Sequence, residues 1–199
     1  GYKSVRIPSV VVTPSGKVLA FAEGRAARAD QAANDIILKR SVDGGRTWAA
    51  TQLVADAGDN SLNNPCAVIE RENGRVFVMF QSYPAGLSER SGQIQPGLEG
   101  PNIVRNAIVW SDDGGATWAQ ARDVTPTTKR AERVTTIASG PGIGLQLKRG
   151  RHAERLIIPF NEGPYGLWNV SAVFSDDRGA SWKIGEPAPG ALVPDGKGG

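Results

Sequence analysis

The chain has one cysteine, Cys66, and one histidine, His152. A lone cysteine can form neither an intrachain disulfide nor a thiolate metal cluster. A lone histidine in the polar stretch Lys148-Arg-Gly-Arg-His-Ala-Glu154 builds no multi-histidine metal site, and nothing near it suggests a Ser-His-Asp triad. Cys66 is therefore read as a small buried apolar side chain, and His152 as an exposed turn residue. No apolar run approaches membrane-spanning length, and no signal-peptide pattern opens the sequence at Gly1-Tyr2-Lys3. Charge of one sign is scarce too. The 23 Lys and Arg nearly cancel the 20 Asp and Glu, leaving +3, and the basic residues are spread along the chain. That pattern excludes a basic nucleic-acid footprint. No stretch shows the periodicity of a long amphipathic helix.

What is plentiful is turn chemistry. Twenty-five glycines and 13 prolines in 199 residues suit many short strands joined by turns. One stretch occurs three times: Ser41-Val-Asp-Gly-Gly-Arg-Thr-Trp48, Ser111-Asp-Asp-Gly-Gly-Ala-Thr-Trp118 and Ser175-Asp-Asp-Arg-Gly-Ala-Ser-Trp182. The shared skeleton is Ser-x-Asp-x-Gly-x-(Thr/Ser)-Trp. Each copy follows a short apolar run: Asp35-Ile-Ile-Leu38, Ala107-Ile-Val-Trp110 and Ser171-Ala-Val-Phe174. Glycine supplies positive φ, and the Asp side chain accepts backbone N–H bonds, so each copy reads as a hairpin fastener. The closing Trp is expected to bury its ring beneath its own turn. These boxes report architecture, and chemistry is expected elsewhere.

Around the boxes a common plan repeats. Ser9-Val-Val-Val-Thr13, the turn Pro14-Ser-Gly16 and Lys17-Val-Leu-Ala-Phe21 give two strands, and the first box closes two more. A loop from Arg25 to Asn34 separates strands two and three. The second unit runs Pro65-Cys-Ala-Val-Ile69, then the turn Glu72-Asn-Gly74, then Arg75-Val-Phe-Val-Met-Phe80, then its box. Its loop, roughly Ser82 to Val104, is long and polar, as functional surface loops are. The third has Gly144-Leu-Gln-Leu147, the turn holding His152, and Arg155-Leu-Ile-Ile-Pro-Phe160. Four strands in each unit of about 60–70 residues fit the blades of an all-β propeller. The approximate blades are 1–62, 63–130 and 131–199. Closed propellers carry about 4–8 blades, so this chain is expected to be the N-terminal part of a larger one. Its last residues, Pro194-Asp-Gly-Lys-Gly-Gly199, read as a flexible turn.

Tyr2-Lys-Ser-Val-Arg6-Ile7-Pro8, then Leu19-Ala-Phe-Ala-Glu-Gly-Arg25, then a box by residue 48, resembles the sialidase (exo-neuraminidase) family. Asn63-Asn-Pro-Cys66, Ser139-Gly-Pro-Gly142 and the other boxes extend the resemblance over essentially the whole chain. It implies a six-bladed propeller that removes terminal sialic acids from glycans with retention of configuration, using no metal and no cofactor. It also implies an exported protein of bacterial type, secreted, periplasmic or at the cell surface.

Sialic acid carries a carboxylate, which guanidinium groups bind bidentately. By resemblance, Arg6 is the first of three carboxylate-binding arginines, and Arg25 is a further pocket arginine beside the acid/base. Arg28 stands near it without matching. Asp30 lies in the loop that carries the acid/base aspartate, where a carboxylic acid protonates the departing oxygen. Asp35 is its rival, but it starts a strand. Asn63 and Asn64 border the acetamido or glycerol pocket or else serve as turn residues. Asn161, Glu162 and Tyr165 sit where a strand gives way to a loop and are candidate aglycone or glycerol contacts. Sialidases use a Tyr nucleophile. By resemblance that Tyr, its Glu partner and two further arginines lie outside this chain. Tyr2, Tyr83 and Tyr165 do not occupy its motif. The segment alone is therefore expected to be inactive. The expected partners are a sialylated glycan and the remaining blades, without nucleic acid or membrane insertion. The competing readings are a non-catalytic box propeller that binds glycans or proteins, and a propeller glycosidase for another sugar. A carboxylate-binding Arg6 separates the second from a sialidase, because neutral sugars need none, and a downstream Glu, two further Arg and a late Tyr would separate the first.

Overall fold

The computed structural model describes residues 1–188, so the expected turn at 194–199 lies outside the described residues. Three antiparallel sheets follow one another along the chain. The first holds β1 (Ser4–Val12), β2 (Val18–Arg25), β3 (Asp35–Ser41) and β4 (Gln52–Ala55), in that order. The second repeats it with β5 (Ser61–Ile69), β6 (Val76–Tyr83), β7 (Arg105–Ser111) and β8 (Arg122–Asp123). A short helix, α1 (Thr125–Thr128), leads into the third, with Pro126 in its first turn, where a missing N–H costs nothing. The third holds β9 (Thr136–Ser139), β10 (Leu145–Gln146), β11 (Leu156–Gly163), β12 (Asn169–Ser175) and β13 (Lys183–Ile184). Both β9 and β10 pair with β11. The innermost strand of the third blade is thus broken in two, and β9 has no counterpart in the sequence reading. The fold is a β-propeller of four-stranded antiparallel blades.

The register is the same in every blade. Val18, Val76 and Leu156 face the first Ser of their own boxes, Ser41, Ser111 and Ser175. In the second and third blades the basic residue before the second strand also has a task. Arg75 pairs with Asp112 and Arg155 with Asp176, tying the inner turn to the box.

Each box ties itself together as its residues require. In the second, Asp113 Oδ1 accepts from the backbone N–H of Ala116 and Thr117, and Oδ2 accepts from the Thr117 hydroxyl at 2.6 Å. Ser111 Oγ donates to Asp113 and accepts from the Gly115 N–H. The first and third boxes repeat the pattern on Asp43 and Asp177.

The box tryptophans do something other than expected. Those of the second and third boxes reach beyond their own turns. Trp118 packs edge-on against Phe21 of the preceding blade, centroids 5.5 Å apart, and Trp182 against Phe77 of its preceding blade at 5.6 Å. The glycines between follow suit. A Cβ at Gly115 would press on Leu19 and Leu38 at 3.2 Å, and one at Gly179 would overlap the Phe77 ring. A box therefore fastens one blade to the one before it. Trp48 has no preceding blade among the described residues and remains 41% exposed.

Two apolar clusters fill the spaces between sheets. Leu19, Phe21, Ile36 and Leu38 meet Leu62, Ala67, Val76 and Val78 between the first two blades. Phe77, Met79 and Ile108 meet Ile137, Ile158, Phe160 and Trp182 between the second and third. Cys66 is buried there, and burial pushes its thiol up to about 12, so the expected inert core role holds. His152 is half-buried, against the expectation of exposure, with Arg151 Nε donating to its Nε2.

Candidate active site

Each innermost strand carries an x-Pro pair. Ile7-Pro8 and Asn64-Pro65 both fall at β-bulges, and Ile7 and Asn64 both have positive φ, at 56° and 54°. Gly140-Pro141 takes that place in the third blade, where the strand breaks between β9 and β10. Positive φ is costly for a residue with a Cβ, most of all for β-branched Ile7, so each bulge is held by its surroundings. A bulge re-aims the side chain beside it. In the first two blades those side chains are Arg6 and Asn63. The Pro recurring in each inner strand was a legible signal of this device, and it was missed.

Arg6 lies opposite Glu23 in the β1–β2 register, and its side chain is 56% exposed. Its Nη1 is 3.8 Å from Asp30 Oδ1. Asp30 lies in the loop between β2 and β3. From behind, Arg25 Nη1 donates to the same Oδ1 at 2.7 Å and to the Ala29 carbonyl at 3.2 Å. The Asp30 backbone carbonyl accepts from the amides of Asn34 and Asn63, at 2.6 and 2.7 Å. Asp30 Oδ2 carries no hydrogen bond among the described residues. A half-exposed carboxyl with a fixed backbone, one tethered oxygen and one free oxygen is what proton exchange with a ligand requires.

Arg25 behaves unlike an exposed pocket residue. It is 1% exposed, and its Nε donates to Glu23 Oε2 at 2.7 Å, with Nη2 paired to the same oxygen. Its donors go to the Glu23 and Asp30 carboxylates and the Ala29 carbonyl. Glu23 is fully buried. Its Oε1 accepts from the Asn64 backbone N–H at 2.7 Å and from Asn63 Nδ2 at 3.2 Å. Burial pushes the Glu23 carboxyl up, against the pull of Asn64, Arg25 and Asn63. Sequence reasoning gave Glu23 no role. Its one signal is a carboxylate inside the otherwise apolar run Val18-Leu-Ala-Phe-Ala22.

Asn63 is buried and its amide is committed to Glu23 and Asp30, so it braces the loop and does not line a pocket. Asn64 is half-buried, and its side chain makes no hydrogen bond among the described residues. The rival Asp35 is occupied, because the Tyr2 hydroxyl donates to it at 2.7 Å. Burial and that bond push the Tyr2 phenol up to about 12.

Asn161 and Tyr165 make no hydrogen bond to the Asp30 cluster. Asn161 lies on β11, with Oδ1 unpartnered among the described residues. Tyr165 packs against Trp168, and the Arg90 guanidinium lies 5.2 Å from its ring centroid. Glu162 is buried and paired with Arg130. The long loop 84–104 joins these regions. Arg90 meets Tyr165, while its neighbour Glu89 has its carboxyl pushed up by burial and by the charge of Asp30. The loop is no loose strap, for its Ile94, Ile103 and Val104 are buried.

Comparison with known proteins fits this geometry. The BNR repeat-like domain matches residues 16–194. The chain belongs to the BNR repeat-like domain family. Among curated proteins this BNR repeat-like chain is 36% identical to a sialidase of Micromonospora viridifaciens, covering 94% of the chain and 29% of that protein. It is 31% identical to human sialidase-3, covering 90% of the chain and 45% of that protein. Among solved structures it superposes on a Hadza microbial sialidase with a TM-score of 0.82 at 24% identity, over 94% of the chain and 38% of that structure. An intramolecular trans-sialidase from Ruminococcus gnavus gives 0.79 at 18% identity, over 96% and 62%. These relatives bear out the resemblance read from Arg6-Ile7-Pro8 and the boxes. The chain spans less than half the length of the two curated relatives named.

Proposed function

We propose that the protein containing this chain is an exo-α-sialidase and that Asp30 is its acid/base. The observation that carries the reading is the Asp30 carboxyl, tethered at Oδ1 between Arg6 and Arg25 and free at Oδ2. Arg6, exposed beside it, offers its guanidinium to the sialic acid carboxylate. Asp30 gives its proton to the glycosidic oxygen as the bond from that oxygen to the anomeric carbon breaks. A tyrosine nucleophile, supplied by the rest of the protein, takes the anomeric carbon into a covalent intermediate. The Asp30 carboxylate then removes a proton from the water that releases the sugar. Asn64 at the second bulge and Tyr165 beside Arg90 stand as candidate glycan contacts.

The test uses the leaving group. A sugar alcohol departs only when protonated, whereas an aryl alcohol departs with much less help. In the full-length protein, Asp30→Asn is expected to slow cleavage of sialyl-lactose by about 10²–10⁴-fold and cleavage of an activated aryl sialoside far less. Equal losses on both substrates with the fold intact would remove Asp30 from the acid role.

A further inference from the structure

In the first two sheets the same strand position reaches across to the next blade. It is held by Glu23 and Gln81, and in the third sheet by Asn161, each five residues beyond the start of its strand pairing with the box. Glu23 accepts from Asn63 and Asn64 at the bulge of the second blade. Gln81 does the same one blade on. Its Oε1 accepts from the Ser139 N–H and its Nε2 reaches Ser139 Oγ, at 3.1 Å each. A neutral amide is therefore sufficient to clasp two blades. The negative charge at Glu23 needs another reason, and Arg25 supplies it. Its guanidinium lies between two carboxylates, Glu23 on its Nε and Nη2 side and Asp30 on its Nη1 side.

We propose that Glu23 is a positioning residue for the acid: it holds Arg25 and Asn63 in place and takes up half of the Arg25 charge, so that Asp30 remains able to carry a proton. The inference rests on Asp30 being the acid/base. The charged and titratable groups that face Asp30 are Arg25 from β2, Arg6 from β1, Glu89 from the loop 84–104 and the buried Tyr83 from β6, with Glu23 behind Arg25. Of these, Glu23 alone offsets the cation that touches Asp30 directly. An uncompensated cation within about 4–6 Å favours an ionised carboxylate by about one to three pH units. An acid that ionises too readily loses its proton in the working range.

The experiment is Glu23→Gln in the full-length protein, the solution the second blade already uses at Gln81. For sialyl-lactose, the basic limb of the kcat/KM profile is expected to move to lower pH by about one unit. The activated aryl sialoside, which needs little proton transfer, is expected to show no such move. Carbon NMR of the Asp30 side chain reads the same change without turnover, and its titration is expected at lower pH in Glu23→Gln than in the parent. A folded Glu23→Gln protein in which Asp30 titrates as in the parent would overturn the proposal, whatever happens to rate. A second measurement needs no variant. The Glu23 carboxyl carbon of the parent is expected to show the ionised form across the pH range of activity, and a neutral Glu23 there would overturn the proposal as well. Failure of the acid reading is told apart by Asp30→Asn, whose substrate dependence does not involve Glu23.

Discussion

Arg6 and Arg25 approach the same Asp30 oxygen, at 3.8 and 2.7 Å, and their burial gives them opposite costs. Arg6 is 56% exposed, so removing it leaves little buried unpaired. Arg6→Ala is expected to leave stability within about 0.5 kcal/mol. Its effect should appear in binding. Loss of a charge-assisted bidentate contact is expected to weaken binding of the unsaturated sialic acid analogue by about 1.5–3 kcal/mol in calorimetric titration of the full-length protein. Lysine should restore little, because it lacks the planar fork. Arg25 is the reverse case. Arg25→Ala strands the buried Glu23 carboxylate, so urea unfolding should show a loss of about 3–5 kcal/mol. Equal stability losses for the two variants would mean that Arg25 is not the buried partner. At this scale a motif singled out Arg6 and Asp30, which the structure brings within 3.8 Å of each other. Sequence reasoning left Glu23 without a role, because the partners at its Oε1, Asn63 and Asn64, come from the next blade. In the third blade Asn161 stands at the register position that Glu23 and Gln81 hold in the first and second.

The boxes show how much a periodic element reveals and where that stops. The Ser, Asp and Thr of each copy bond within the copy, and those local bonds are why the turn was legible from residues alone. The Trp was misjudged because its partner is a residue of the preceding sheet, distant in sequence. The broken inner strand of the third blade was missed for a similar reason. Little in Thr136-Ile-Ala-Ser139 signals a strand locally, and β9 forms there because β11 supplies its bonds. The box carboxylates also set a pH dependence. Burial alone would raise the Asp177 carboxyl, but the Ser181 hydroxyl and N–H and the Ser175 hydroxyl hold it below the usual range. A carboxylate lowered on folding contributes stability that is complete above its unfolded value near pH 3.9 and is lost as pH falls through the folded value. Melting temperatures of the parent and Asp177→Asn should therefore differ most at neutral pH and converge below about pH 4. A gap that stays constant down to about pH 2 would mean that the ionised form contributes nothing.

Across the whole molecule, two faces remain without a sheet against them among the described residues. Trp48 and Leu53 are exposed on the first blade, and Leu167 and Val170 on the third. Apolar surface of this kind drives association. Residues 1–199 expressed alone are expected to sediment as oligomers, and a monomer that unfolds cooperatively would show that these faces need no cover. The propeller class was readable at this scale because three boxes at near-even spacing are a count, and a count survives ignorance of every contact. Trp48 turns the same feature into a signal. An indole in water emits at longer wavelength than one packed edge-on against phenylalanine, as Trp118 and Trp182 are. The first box is thus a built-in optical reporter. When a complementary fragment seats a blade against it, the emission should move to shorter wavelength, and Trp48→Phe should remove the part of the shift that the first box contributes.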